Sequence, residues 1–285
     1  MADMLTGKVA VITGGARGNG EGIARVFASE GATVCLWDVL GTAARTAERI
    51  AAEYGRPARA WQVDIGDAPA VETAAADVIR AFGTVDILVN NAAVAPEAPF
   101  VAMEPALRER VWRVNVDGAM NCTKAVLPEM IRRKRGKIIV ISSITGPLTA
   151  IPGLTMYAAT KGALLGFTRN LALEMAPHGI NVNCILPGTI DTPLLRWSLS
   201  GAGHAADGQA VVDERPPADD DAVAAFGAAV PWGRVGSVAE VGGVAAFLAS
   251  EWSDYVTGTE IVVDGGSRLT EWGLAAPGSP GGVTS

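Results

Sequence analysis

The chain has 285 residues, 49% of them hydrophobic, a formal net charge of -7 and a pI of about 5.0. That size and apolar content support one large α/β domain with a substantial core, and the acidic balance, with Arg132-Arg133-Lys134-Arg135 as the one dense basic run, argues against a nucleic-acid-binding surface. Cys35, Cys122 and Cys184 are scattered without metal-ligand spacing, no apolar run is long enough for a membrane span, and a first strand beginning by Lys8 leaves no room for a signal peptide, so a cytoplasmic protein without a bound metal is expected.

Residues 8–13 are a short, nearly all-apolar run and read as a parallel strand covered on both faces. Gly14-Gly15-Ala16-Arg17-Gly18-Asn19-Gly20 follows, then a helical pattern through Ile23, Val26 and Phe27. Strand, glycine loop and helix form a dinucleotide-binding opening: the glycines allow a tight turn and close approach of a pyrophosphate to the positive helix N-terminus. Residues 33–37 are the second strand. Asp38 ends it about 20 residues past the loop, where an acid can accept hydrogen bonds from an adenosine ribose. A carboxylate there repels a 2′-phosphate and favours NAD over NADP, although a loop arginine such as Arg17 can neutralise that phosphate. Asp38 is also placed to cap a helix starting near Thr42.

Residues 58–63, 85–89, 137–141, 180–186 and 260–263 supply further strands, and helices are expected over 68–82, 104–131, 155–175 and 237–250. This alternation predicts an α/β fold with a doubly wound, Rossmann-like parallel sheet. Residues 1–272 form the single domain, 194–230 an inserted substrate lobe and 273–285 a Gly/Pro-rich tail. Asn90-Asn91-Ala92-Ala93 closes the fourth strand with small residues and amides that permit close backbone approach to a ligand. Asn115, amid Val111, Trp112, Val114 and Val116, needs partners if buried, whether local backbone or a proton or water path. Pro187-Gly188-Thr189-Ile190-Asp191-Thr192-Pro193 makes a rigid turn suited to wrapping a cofactor head.

Tyr157 and Lys161 lie four apart on the helix over 155–175 and share a face. A free tyrosine keeps its proton to about pH 10, and a fixed cation beside it favours the phenolate. Such a tyrosine can take a proton from an alcohol or return one to an alkoxide, which suits hydride chemistry at a C–O centre. Ser142 and Ser143 end the fifth strand; adjacent strand residues point to opposite faces, so one of them faces the site.

Thr13-Gly14-x-x-x-Gly18-x-Gly20, Asp64, Asn90-Asn91-Ala92, Asn115, Ser143, Tyr157-x-x-x-Lys161 and Pro187-Gly188 through Thr192, in this order, resemble the classical short-chain dehydrogenase/reductase family over residues 5–269. The resemblance implies that Tyr157 is the acid/base, that Lys161 lowers its pKa and binds the nicotinamide ribose, that Ser143 holds the substrate oxygen and that Asn115 positions a water. It implies a cofactor surface of Gly14, Arg17, Gly18, Asn19, Gly20, Asp38, Ile65, Ala92, Ala93, Pro187 and Gly188, with Asp64 at the adenine, Asn91 near the adenosine ribose, and Ile190 and Thr192 at the nicotinamide carboxamide. A homotetramer or homodimer through the helices near Asn115 and Tyr157 is implied too. Three positions depart from the family pattern: Asn19 replaces an aliphatic residue, Ala93 replaces a glycine, and Ser143 lies one residue further from Tyr157 than is usual, which keeps Ser142 as an alternative.

Specificity is expected from residues 94–100, 144–154 and 194–230, with Ile144, Leu148, Leu154, Leu195 and Trp197 as substrate contacts. Leu194, Leu195, Trp197 and Leu199 suggest an apolar lid helix. His204 beyond it reads as solvent-facing. Asp213, Glu214, Asp219, Asp220 and Asp221 form an acidic stretch, either a solvated cover or a feature favouring a cationic substrate such as an amino alcohol. The tail has a disordered composition and, if ordered, would pack on a neighbouring subunit or the site rim. The expected activity is NAD(H)-dependent interconversion of a secondary alcohol and a ketone. An NADPH-dependent carbonyl reductase and a non-catalytic dinucleotide sensor are the alternatives.

Overall fold

Seven short runs pair in one sheet in the computed structural model, which describes residues 3–200 and 220–270. The strands are β1 (Val9–Thr13), β2 (Thr33–Asp38), β3 (Ala58–Gln62), β4 (Ile87–Asn90), β5 (Gly136–Ile141), β6 (Ile180–Pro187) and β7 (Glu260–Val263). Their order is β3-β2-β1-β4-β5-β6-β7, and every neighbouring pair is parallel. Parallel strands need crossover connections, and helices supply them: α1 (Gly18–Ser29), α2 (Ala43–Tyr54), α3 (Ala68–Phe82), α4 (Pro105–Trp112), α5 (Gly118–Arg133) and α6 (Thr155–Met175). Then come α7 (Pro193–Leu199), α8 (Asp220–Gly227) and α9 (Val238–Ala249).

The period-2 alternation of side chains divides the core into two layers. Val9 and Val11 of β1, with Ile138 and Val140 of β5, face α3, α5 and α6. Ala10, Ile12, Ile139 and Ile141 face α1, α2 and α9. Burial of each large aliphatic side chain contributes roughly 1.5–3 kcal/mol, so both sheet faces must be covered, and both are. Local signals set the helix ends. Asp67 accepts from the Ala70 N–H at 3.2 Å to start α3, and Gly83 ends it at φ +83°. Ser237 and Glu240 form a reciprocal capping box for α9.

The sheet order reverses between β1 and β4. In open α/β sheets this is where a crevice opens beyond the strand C-termini, and the glycine loop and residues 90–93 lie at its two sides. The segment expected as one helix over 104–131 is divided: α4 and α5 flank a π-helical turn at Arg113–Asp117, with Asn115 at its centre. A π-turn adds a residue to the helical repeat and re-aims the side chains within it. Three residues of the basic run at the end of α5 are ion-paired, Arg132 to Glu129, Arg133 to Asp86 and Arg135 to Glu251. No helix among the described residues is long and apolar enough to cross a membrane. His204, Asp213, Glu214, Asp219 and the tail 273–285 lie outside the described residues.

Candidate active site

The glycine loop is built by contacts too close for side chains. Gly14 has φ +65°, and a Cβ there would sit 2.9 Å from Ala92 Cα; a Cβ on Gly20 would lie 2.0 Å from the Gly14 carbonyl oxygen. Thr13 Oγ1 accepts from the Asn91 and Ala92 N–H groups at 2.9 and 3.0 Å. Asn91 Nδ2 donates to the Thr13 and Gly14 carbonyls at 2.9 and 3.3 Å. Asn91 therefore holds the loop's entry against the end of β4. In the sequence Thr13 is only the first residue of the glycine motif; its bonding role depends on a strand end 78 residues away.

Asp38 is 8% exposed. Its two carboxylate oxygens accept from the Ala16 N–H at 2.9 Å and the Leu40 N–H at 3.0 Å. It does not cap α2, which begins at Ala43 after Thr42; instead it joins the glycine loop to the turn after β2. Arg17 is the extended residue preceding α1 and is partly exposed. Asp64 accepts from the Gly66 N–H and pairs with Arg113 at 2.9 Å. Ile65 is buried in the core, and its carbonyl accepts from Asn121 Nδ2. Across the crevice, Gly188 donates to the Val263 carbonyl, Ile144 donates to that of Pro187, and Thr192 Oγ1 caps α7 through the Leu195 N–H. Ile190 is buried and bridges Gly236. A Cβ on Gly18 would lie 3.7 Å from Pro193 Cδ, so this turn closes on the glycine loop. Ala93 is exposed at the mouth.

The chain separates the two serines clearly. Ser142 is 3% exposed and donates to the Lys161 carbonyl at 2.9 Å, tying β5 to α6. Ser143 turns the other way: its hydroxyl accepts from the Thr145 N–H at 3.0 Å and lies beside Tyr157. Lys161 is buried; its Nζ donates to the Ile141 carbonyl at 2.8 Å and lies 5.3 Å from the Tyr157 ring centroid. Burial lowers the Lys161 pKa to about 8, partly offset by the nearby Cys184. Burial also raises the Tyr157 pKa, and the neighbouring Ser143 hydroxyl offsets only part of this.

Asn115 is 1% exposed, and its carboxamide is engaged on three sides. Its oxygen accepts from the Val94 N–H at 2.8 Å, and its Nδ2 donates to the Val94 carbonyl at 2.9 Å and to Thr160 Oγ1 at 3.1 Å. Thr160 in turn donates to the Tyr157 carbonyl at 2.7 Å. Asn115 thus links the loop after β4 to the first turn of α6.

The outer rim is apolar. Phe100, Val101, Leu148, Ile151 and Leu194 are exposed, and Leu154, Leu195 and Trp197 are half-buried. Ile144 is buried in the core beneath this rim. Arg196 of α7 forks onto Asp191 at 2.6 and 2.8 Å and pairs with Asp220 of α8 at 2.7 Å, so Asp220 is already neutralised.

A family model described as "Enoyl-(Acyl carrier protein) reductase" matches residues 14–268. The chain is 42% identical over 267 residues to Oxidoreductase UcpA of Salmonella typhimurium (strain LT2), a match spanning 94% of this chain and 97% of UcpA. The crystal structure of levodione reductase superposes with a TM-score of 0.82 at 29% identity, over 94% of this chain and all (100%) of that one. A Beutenbergia cavernae protein described as an NAD(P)-dependent gluconate 5-dehydrogenase, with NADP bound at low occupancy, gives a TM-score of 0.80 at 32% identity over 93% and 98% of the two chains. Fold, family model and relatives agree along nearly the whole chain, and on that agreement it belongs to the short-chain dehydrogenase/reductase family of oxidoreductases that bind a nicotinamide dinucleotide.

Proposed function

We propose that the protein is an NAD(H)-dependent dehydrogenase that interconverts a secondary alcohol and a ketone. The observation that carries this reading is the buried, backbone-anchored Lys161, its Nζ 5.3 Å from the Tyr157 ring centroid, with Ser143 beside that tyrosine. The residues fit the dinucleotide. The loop around Gly14 and Gly20 has no room for side chains, and the amide of Asn19 leaves its Oδ1 enclosed without a partner. When bound, the nicotinamide supplies or receives the hydride at the carbon bearing the substrate oxygen. In reduction, Tyr157 gives its phenolic proton to that oxygen as negative charge builds there, while Ser143 donates a second hydrogen bond. In oxidation, Tyr157 takes the proton back, and Lys161 balances the phenolate. A phenol whose pKa is raised by burial holds its proton at neutral pH, so the reductive step is ready at pH 7 and the oxidative step improves toward alkaline pH. Asn115 acts by position, since both of its N–H groups are engaged in fixing Val94 and Thr160 beside the tyrosine.

Asp38 supports NAD: it is an acceptor-only carboxylate held at the end of β2, and it would repel a 2′-phosphate. The alternative, an NADPH-dependent carbonyl reductase, draws support from the NADP in the Beutenbergia cavernae relative. The apolar rim and the pairing of Asp220 with Arg196 favour a neutral, apolar substrate over an amino alcohol. We take the protein to act in the cytoplasm as a homo-oligomer. The test is NADH formation at alkaline pH across a panel of aliphatic, aryl, steroid-like, sugar-derived and amino secondary alcohols, with Tyr157→Phe as control. Turnover that is lost in Tyr157→Phe, with kcat/KM higher for NAD than for NADP, supports the reading. A clear NADP advantage overturns the cofactor assignment, and tight dinucleotide binding without turnover of any alcohol favours the sensor.

A further inference from the structure

We propose that the side chain of Asn19 is a direct ligand of the dinucleotide's pyrophosphate, adding a donor to the backbone N–H groups of the glycine loop. This rests on dinucleotide binding by the family, not on the choice of substrate. Asn19 lies between Gly18 and Gly20 in the first turn of α1, at the end of the helix that carries partial positive charge. Its Oδ1 is enclosed and has no hydrogen-bond partner, and its Nδ2 makes no hydrogen bond to any described residue.

An enclosed, unpartnered acceptor destabilises a fold. The asparagine does not offset this by capping, because the residue before α1 is Arg17 and no side chain bonds the helix start. An aliphatic side chain would fill the same place without a stranded oxygen. Reversing the amide would enclose an NH2 group with two unpartnered donors instead of one oxygen, a worse arrangement. The observed orientation therefore leaves the donors as the atoms free to meet a ligand. Of the groups on a nicotinamide dinucleotide, the pyrophosphate offers acceptor oxygens with full negative charge, and it is the group that a helix N-terminus draws in.

The experiment titrates NADH and, separately, ADP-ribose into the wild-type protein, Asn19→Leu and Asn19→Asp, and records the thermal melt of each protein without ligand. ADP-ribose keeps the pyrophosphate and lacks the nicotinamide. Asn19→Leu is expected to weaken both ligands about tenfold, the loss of one hydrogen bond to a charged group, while its ligand-free Tm is no lower than that of the wild type. Asn19→Asp is expected to weaken both ligands further, because an acceptor-only carboxylate faces the phosphates. Unchanged affinity in Asn19→Leu, a loss confined to NADH, or tolerance of Asn19→Asp would each overturn the assignment. A wild-type protein that binds neither ligand would overturn dinucleotide binding itself, a result distinct from wild-type binding that the Asn19 variants leave intact.

Discussion

Replacing Lys161 by methionine is expected to stabilise the dinucleotide-free protein at neutral pH while abolishing turnover. Lys161 is 3% exposed, and burial takes its pKa from 10.5 to about 8. At about 1.4 kcal/mol per pH unit, holding the ammonium in the fold costs ~3 kcal/mol at pH 7. Its bond to the Ile141 carbonyl returns about 1 kcal/mol, and methionine retains much of the stem's apolar volume. The net gain is ~2 kcal/mol, or about 5 °C in Tm for a chain of this size. The sign of the pH dependence follows from the lowered pKa. Between about pH 8 and 10.5 the unfolded chain binds more protons than the folded one, so wild-type stability rises with pH across that window. The variant lacks this contribution. Its advantage should shrink above pH 8 and reverse by about 1 kcal/mol near pH 10.5, where only the lost hydrogen bond remains. Urea melts of both proteins at pH 7, 8, 9 and 10 measure the difference directly, with the other titrating groups common to both. A variant less stable than wild type at pH 7, or a gap that does not change with pH, would refute the reasoning.

Ser143→Ala should lose nearly all turnover with little change in Tm, while Ser142→Ala should keep turnover and lose about 1 kcal/mol through its bond to the Lys161 carbonyl; kcat and melts of the two variants decide, and loss of turnover only in Ser142→Ala would reverse the assignment. Gly20→Ala places a methyl 2.0 Å from the Gly14 oxygen, so the loop must move and NADH affinity should fall at least about tenfold, as read by fluorescence titration; wild-type affinity would show that the loop gives way without consequence. Asn115→Ala removes three hydrogen bonds from two segments and is expected to cost about 2–3 kcal/mol in denaturant melts; a change below about 0.5 kcal/mol would mean that Val94 and Thr160 find other partners.

Several parts of this site are visible in the chain itself. The apolar runs of β1 and β5, the glycines of residues 14–20 and the i, i+4 spacing of Tyr157 and Lys161 are local properties. Strand alternation, turn sterics and helical periodicity turn them into structure wherever they occur. The boundaries of α3 follow for the same reason, since Asp67 and Gly83 cap it locally. Even Asp38 announces itself by its distance from the glycine loop.

The choice between Ser142 and Ser143 depends on which one meets α6, and that helix comes from elsewhere in the chain. Asn115 is set by Val94, 21 residues away, and by Thr160, 45 residues away, and the π-turn that aims it breaks a helix whose local pattern looks continuous. The electrostatic balance of Tyr157 and Lys161 is likewise tertiary. Adjacency on one helix face suggests that the cation lowers the phenol's pKa, while the packing that encloses both groups removes their water, which raises the pKa of Tyr157 and lowers that of Lys161. Sequence alone determined the elements and the residue types delivered to the crevice, because those rest on short-range sterics and periodicity. Which face each side chain took, what it bonded to and how tightly it held its proton were decided by contacts between distant segments, which only the folded chain brings together.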